Sequence, residues 1–318
     1  MGDSLWSGNS SAPTWLSLAA HAWSGHPPKL LESMKPQKQI RLPAGCSMRE
    51  LAGSNIPAAV ELWSRYFSIT PSCRCLVPVE HVTKMITTKQ WVGLIVVSPK
   101  GDIIGTIVRR CIRNLHVREA VWPSAVAGDY FCIHPGWRKK GVGRALLHAI
   151  HNTTPAPFPP VLMFWDKPQL KFPPLAAGIL MSRVCSPGSQ GQAVQLKDPQ
   201  LCKAAWMDCV KGIDVWSSEP GEEISFWAST GHKPTVVWNT FHRTIPDGGL
   251  IGIVLSRDAA ATEALASVKS QWGVLLAPAT TPFTHSYGPS WKMNSIFQWI
   301  GYNLSVGFVS GYFPVIGF

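Results

Sequence analysis

Hydrophobic positions along the chain change period several times, and the changes mark out its elements. Residues 58–67 (AAVELWSRYF) carry apolar side chains at helical spacing, and residues 82–89 predict a second helix. Residues 91–97 (WVGLIVV) form a continuous apolar run that predicts a buried strand. Ser98-Pro99-Lys100-Gly101-Asp102 supplies turn chemistry, and residues 103–108 (IIGTIV) return as the hairpin partner. A third strand over 126–133 leads through His134-Pro135-Gly136-Trp137 into a helix over 142–150. Pro155 to Pro160 interrupt the chain before a strand at 161–164. Residues 186–192, rich in Gly, Ser and Gln, read as a linker. Beyond them the alternation returns in weaker form. Strands are expected at 223–228, 235–241 and 250–255, then a helix over 259–269 capped by Asp258, then strands at 272–276 and 296–309. The pattern predicts an α/β (α+β) chain of two similar halves. The second half should hold its own strand–helix–strand core at 250–276, packed edge to edge with the first. Residues 1–40, rich in Ser, Pro and Trp, show no sustained periodicity and read as an arm draped over a core.

Composition narrows the partners. With 318 residues, 46% of them hydrophobic, the chain is large enough for two cores. Its net charge of +11 favours an anionic partner. Long basic runs interleaved with aromatics are lacking, and the densest cluster is Arg138-Lys139-Lys140 with Arg144, so nucleic acid is not expected. The eight cysteines follow no framework spacing, and Cys73 and Cys75 have no matching pair to complete a zinc ribbon. Residues 1–17 lack the basic and apolar regions of a secretory signal, so a cytoplasmic, monomeric protein with reduced thiols is expected. Met1-Gly2 begins like a myristoylation site but has Trp6 where Ser or Thr is needed. Residues 295–318 carry no charged side chain. Their glycines and Pro314 suit paired buried strands better than a spanning helix, and no stable membrane insertion is expected.

The most informative stretch is Asp129-Tyr130-Phe131-Cys132-Ile133-His134-Pro135-Gly136-Trp137-Arg138-Lys139-Lys140-Gly141-Val142-Gly143-Arg144. A strand ends, a turn of basic residues and glycines follows, and a helix begins. Gly141 and Gly143 let the backbone approach a ligand closely. The N–H groups at a helix start have no partner within the helix, and its dipole adds positive potential. A pyrophosphate satisfies both, with Arg138, Lys139, Lys140 and Arg144 adding charge. A solvated basic turn is the plain alternative, but the strand, basic turn, glycine and helix all occur here in order.

Arg138-x-x-Gly141-x-Gly143 after a strand resembles the acyl-CoA loop of the GNAT acyltransferase superfamily. A narrower resemblance is to the N-myristoyltransferases, whose hallmark is Asn-Phe-Leu-Cys-Val-His-Lys-Lys-Leu-Arg-Ser-Lys. Residues 129–140 align with it without a gap. Ala22-Trp23-Ser24-Gly25-His26-Pro27-Pro28-Lys29-Leu30 is similar to that family's Phe-Trp-x-Thr-Gln-Pro-Val-Pro-Lys-Leu arm, and Leu42-Pro43-Ala44-Gly45 to its Leu-Pro-x-Gly. Residues 170–183 loosely resemble its Leu-Pro-x-Pro…Arg segment. Where that family has Tyr-Trp-His-Arg, this chain has Leu180-Met181-Ser182-Arg183, and its two loop glycines lie closer to the acetyltransferase pattern.

The resemblance implies a GNAT-like acyl-CoA N-acyltransferase fold in two tandem halves. An arm at 1–45, an acyl-CoA-binding half at 46–185, a linker at 186–195 and a divergent second half at 196–318 are expected. It implies that the backbone N–H groups of Tyr130 and Phe131 form an oxyanion hole. It further implies that Ala22, Trp23, Cys132, Ile133 and residues 138–144, including Val142, hold the acyl-CoA. In the family the base is the chain's own terminal carboxylate, here that of Phe318; His134 and Asp129 are the other candidates. His148 and His151 share a helix face without a third ligand, so no metal is expected. Three function classes stay open. One is transfer of a long acyl chain from myristoyl-CoA to a protein N-terminal glycine. Another is transfer from acetyl-CoA to an amine, and the last is a catalytically silent CoA-binding descendant.

Overall fold

The structure, a computed structural model, describes residues 29–30, 41–68, 71–153, 159–165, 176–185, 193–245, 247–267, 271–279, 290–301 and 304–305. A two-residue strand, β1 (Lys29–Leu30), comes first. β2 (Ser47–Glu50), α1 (Ile56–Tyr66), β3 (Cys73–Cys75), α2 (Val79–Thr87) and β4 (Trp91–Val97) follow. Next are β5 (Ile103–Val117), β6 (Ala120–Ile133), α3 (Val142–Asn152), β7 (Val161–Trp165) and β8 (Ala176–Val184). β9 (Ala193–Gln195), α4 (Pro199–Val210) and β10 (Val215–Ser217) lead into β11 (Ile224–Ser229) and β12 (Thr235–Thr244). The chain continues through β13 (Leu250–Leu255), α5 (Ala259–Ser267), β14 (Trp272–Pro278), β15 (Lys292–Gly301) and β16 (Leu304–Ser305).

Among the described residues, the main sheet runs β2-β4-β5-β6-β7-β15-β8-β14-β13-β12-β11-β9, with β10 on β5 and β3 on β12. β1 pairs separately with β16. The path is symmetric about its middle. From each outer end it passes through antiparallel neighbours to a parallel pair, β6–β7 or β13–β14, and each parallel pair is joined through a helix, α3 or α5. These are two tandem GNAT-like units. Their last strands are exchanged: β15 pairs with β7, and β8 pairs with β14. The halves therefore do not simply abut at one edge, as the pattern suggested.

Helices cover both faces of the sheet because each carries one apolar stripe. α1 buries Ile56, Ala59, Leu62 and Trp63 at helical spacing. They join Trp91, Val108, Tyr130 and Cys132 in one core, to which α2 adds Val82 and Met85. On the opposite face Val142 and Leu146 of α3 pack with Leu94, Val96, Ile104 and Ile107. A Cβ at Gly105 would lie 2.8 Å from Val142 and 3.0 Å from Leu146, so glycine there lets α3 rest directly on β5. In the second half Asp258 accepts the N–H groups of Ala260 and Ala261, the expected cap of α5.

Several elements exceed their sequence expectation. β5 continues to Val117 rather than stopping at Val108, and β6 starts at Ala120 rather than 126. α4 is additional, although Asp198-Pro199 is a ready start signal: Asp198 accepts the N–H groups of Gln200 and Leu201. Of the expected linker, residues 193–195 form β9, while 186–192 lie outside the described residues. Residues 292–301 form a strand paired on both sides, and 306–318 lie outside the described residues. Among the described residues no helix is long and apolar enough to cross a membrane.

His242 on β12 ties the halves together. It is 4% exposed, lies opposite Cys75 of β3, and has its ring 5.7 Å from that of Phe67. Its Nδ1–H donates to the Thr240 carbonyl at 2.9 Å. Burial depresses its pKa to about 4 against the opposing hydrogen bonds of Thr240 and Phe67. The unfolded chain takes up a proton near pH 6.5 that the folded chain refuses until about 4, so stability falls as pH drops through that window. Urea unfolding at pH 7 and pH 5 should therefore show a loss of about 2 kcal/mol that His242→Gln removes. An unchanged difference in the variant would contradict the buried neutral histidine.

Candidate active site

The site is built on an irregularity in β6. Its register with β5 passes from Val108–Asp129 to Thr106–Cys132, so Tyr130 and Phe131 together oppose Ile107 in a bulge. Tyr130 has φ +46°, a left-handed conformation costly for an aromatic residue. Its surroundings hold it there. The Trp63 indole N–H donates to Thr106 Oγ1 at 2.8 Å, and that hydroxyl donates to the Tyr130 carbonyl at 2.8 Å. The Tyr130 ring stacks on Trp63 with centroids 4.3 Å apart. On its other edge β6 pairs with β7 only from Val126 to Gly128. Among the described residues that pairing does not continue from Asp129 onward, and β15 lies along the other edge of β7. The bulge thus begins where the pairing of β6 with β7 ends.

Beneath the bulge lies a charge cluster. Arg110, 2% exposed, donates through Nη1 to Asp129 Oδ2 at 2.7 Å and pairs through Nη2 with Glu223 Oε1. Its guanidinium lies over the Trp91 ring, 4.8 Å from the centroid. Glu223 also accepts the Trp238 indole N–H at 3.2 Å, and His81 Nε2 stands 3.6 Å away. The second carboxylate oxygen of Asp129 accepts the Tyr130 N–H at 2.6 Å. Burial raises Asp129 above the usual carboxylate range, more than Arg110 and the Tyr130 N–H lower it. Burial acts the same way on Glu223, but the Arg110 charge and the bonds from His81, Arg110 and Trp238 outweigh it, and its pKa is lowered.

The basic turn follows directly. Pro135–Trp137 form one turn of 3₁₀ helix, and the Arg138 side chain folds back to donate to the Ile133 carbonyl at 3.2 Å. Lys139 (φ +61°) and Gly141 (φ +87°) are left-handed. The Ala145 N–H donates to the Gly141 carbonyl at 3.0 Å where α3 begins, and the first-turn N–H groups before it have no bond inside the helix. Arg138, Lys139, Lys140 and Arg144 are exposed around it. Gly143 packs under the Phe131 ring, where a Cβ would meet Cζ at 3.0 Å, so bulge and helix start are in contact.

No protein-family model matches the sequence, and no curated protein matches it. Solved structures match it through their fold. The N-myristoyltransferase of Saccharomyces cerevisiae with bound myristoyl-CoA superposes with a TM-score of 0.62 over 88% of this chain and 89% of that one, at 11% identity. A second structure of the yeast enzyme with bound myristoyl-CoA gives 0.63 over 91% of this chain and 86% of the other, at 10% identity. The chain has the N-myristoyltransferase fold. At this identity the likeness concerns the fold, and chemistry must be argued from the residues.

Within the N-myristoyltransferase fold, the structure brings together Tyr130, Phe131, Cys132, Ile133 and residues 138–144. Three of the expected site residues are already engaged within the protein. The Tyr130 N–H donates to the Asp129 carboxylate. His134 accepts the Gly136 N–H through Nδ1 at 3.2 Å and lies 3.4 Å from the Tyr66 hydroxyl through Nε2. Its lone pair already serves the turn, which argues against a base. Cys132 is buried against α1, its thiol 3.9 Å from the Leu62 carbonyl and pushed by burial up to about 12, so its side chain faces away from α3. Burial and then the Arg144 charge lower the pKa of His148, and the described residues hold no group of three metal-ligating side chains. Ala22, Trp23 and Phe318 lie outside the described residues. Sequence reasoning missed Thr106, Trp63, Arg110 and Glu223. The signal for Arg110 was a charged residue following an apolar strand run, which demands a buried counter-charge.

A side chain at Gly141 would be strained, and its Cβ would project into space holding no protein atom within 4 Å. Gly141→Val should weaken CoA binding by about tenfold or more. Gly231, also left-handed (φ +77°) with open space around it, lies in the β11–β12 turn and serves as control. Gly231→Val should leave CoA binding intact. Calorimetry that finds equal CoA affinity in both variants would remove the ligand from this loop.

Proposed function

We propose that the protein is an acyl-CoA-dependent N-acyltransferase that carries a long acyl chain to an amine, with a protein N-terminal glycine as the favoured acceptor. One observation carries this reading: among the described residues the pairing of β6 with β7 ends just before the bulge, and the same strand runs on into a glycine-bearing cationic helix start. In this reading residues 138–144 take the pyrophosphate, with four cationic side chains and main-chain N–H groups opposing its charge. The pantetheine arm lies along the edge of β6 past Cys132 and Ile133, beyond the last residue of β6 that pairs with β7 among the described residues. The thioester carbonyl then meets the Phe131 N–H, and the Tyr130 N–H once it is released. Each such donor, rigidly placed, contributes about 10²- to 10³-fold in rate. The amine attacks the thioester carbon, the C–N bond forms, the C–S bond breaks, and CoA leaves as the thiol.

A long chain is favoured because the yeast enzyme, which superposes over 89% of its own length, has myristoyl-CoA bound. The Gly141-x-Gly143 spacing favours a second reading, acetyl transfer to an amine. Chain length separates them. With a peptide bearing N-terminal glycine, kcat/KM should climb from acetyl- to myristoyl-CoA by up to about fourfold per added methylene, as each one enters an apolar site. A profile that peaks at acetyl-CoA would establish the second reading.

A further inference from the structure

Among the described residues the cluster beneath the bulge contains two carboxylates and one guanidinium, and this imbalance has a chemical use. Glu223, with 3% of its side chain exposed, receives the Trp238 N–H and Arg110 and has His81 beside it. Asp129 receives one Arg110 N–H and its neighbour's main-chain N–H, and 26% of its side chain remains exposed. Arg110 can fully neutralise only one of the pair. The surplus negative charge falls on the more accessible carboxylate, the one whose environment favours a proton. Two coupled carboxylates pushed in opposite directions mark a division of labour between an acid–base group and a fixed counter-charge.

Position strengthens the case. Asp129 reaches Arg110, which lies over Trp91 in the core beneath α1 and α2. Phe131 and Ile133 instead pack on the α3 side with the basic turn. Asp129 therefore stands beside the bulge with its carboxylate toward the sheet face opposite the donor loop, and 26% of its side chain is exposed. The Tyr130 N–H, moreover, offers a single proton, and Asp129 already holds it.

Building on the acyltransferase reading above, we propose that Asp129 accepts the amine proton. In the resting site it covers the Tyr130 N–H, which the thioester oxygen takes over when the donor docks, while Arg110 and Glu223 act as positioning residues. Losing the Tyr130 bond removes one donor that favoured the carboxylate over the carboxylic acid, so docking of the thioester strengthens the base at the moment it is needed. As the amine nitrogen bonds to the thioester carbon, its proton passes to Asp129. The departing thiolate then takes up a proton to become the thiol, and the carboxylate is restored. The groups facing Asp129 are Arg110, Glu223, Tyr130 and Cys75, with His81 reached through Glu223. Burial pushes both Tyr130 and Cys75 far up, so neither competes as a proton acceptor.

The test uses the full chain. Asp129→Asn should bind myristoyl-CoA within about twofold of the wild type and lower single-turnover transfer by about 10²-fold or more. It should also abolish the acid limb of the kcat/KM–pH profile. Glu223→Gln leaves Arg110 to Asp129 alone, so the acid limb should move to lower pH, a shift that a merely structural role would not produce. In amide-proton NMR the Tyr130 resonance should titrate with Asp129, lose that titration in Asp129→Asn, and move when an unreactive ketone analogue of the acyl-CoA binds. Extending the chain past Phe318 should leave turnover in place. An active wild type with an equally active Asp129→Asn variant, or activity lost only on extension, overturns this proposal alone. A wild type that transfers no acyl group to any amine overturns the function and the proposal together.

Discussion

A guanidinium with 2% exposure is the constraint around which the molecule is arranged. Alone in the core it would cost several kcal/mol, so its neighbours must bring negative charge to it. One carboxylate arrives from β6 beside the bulge and the other from the turn before β11, in the other half of the chain. Glu223 is fixed in turn by its carbonyl, which accepts from the Asn239 main chain at 2.9 Å and side chain at 3.0 Å. The ion cluster therefore sets the distance between the bulge and the second half's sheet. The aromatic stack of Trp63, Tyr130 and Trp91 closes over it and limits the solvent that would otherwise screen it.

The exchange of terminal strands makes this coupling topological as well as electrostatic. With β15 beside β7 and β8 beside β14, neither half completes its own sheet without the other. Such long-range pairings close late and cooperatively, so the halves are expected to fold as one unit. Among the described residues β7, held along its other edge by β15, pairs with β6 only as far as Gly128, just before the bulge.

The two halves share topology but differ at the helix start. At α5 the carboxylate of Asp258 already occupies the N–H groups of Ala260 and Ala261. At α3 the corresponding residue, Gly141, has no side chain to offer, and four cations surround it. An anion is therefore welcome at one helix start and displaced at the other by the chain's own cap. The repeat thus carries a single site of this kind among its described residues.

Local chemistry was legible in the linear sequence. The apolar run at 91–97, the turn at 98–102, the Asp258 cap and the strand–basic turn–glycine–helix order each depend on residues near one another in the chain. Local signals also misled where a distant partner overrode them. β5 was expected to stop at Val108 because Arg109 and Arg110 end the apolar run, yet the strand continues because Glu223, over a hundred residues on, neutralises Arg110. The sequence by itself determined which segments alternate and where glycines and a helix start follow a basic turn, since spacing, glycine freedom and helix-end polarity are properties of the local chain. Only the tertiary structure decided which strands lie side by side, that Tyr130 is bulged with its N–H held by Asp129, and that one carboxylate of a buried pair is left in surplus. Burial and pairing set those outcomes, and both come from residues that meet only when the chain has folded.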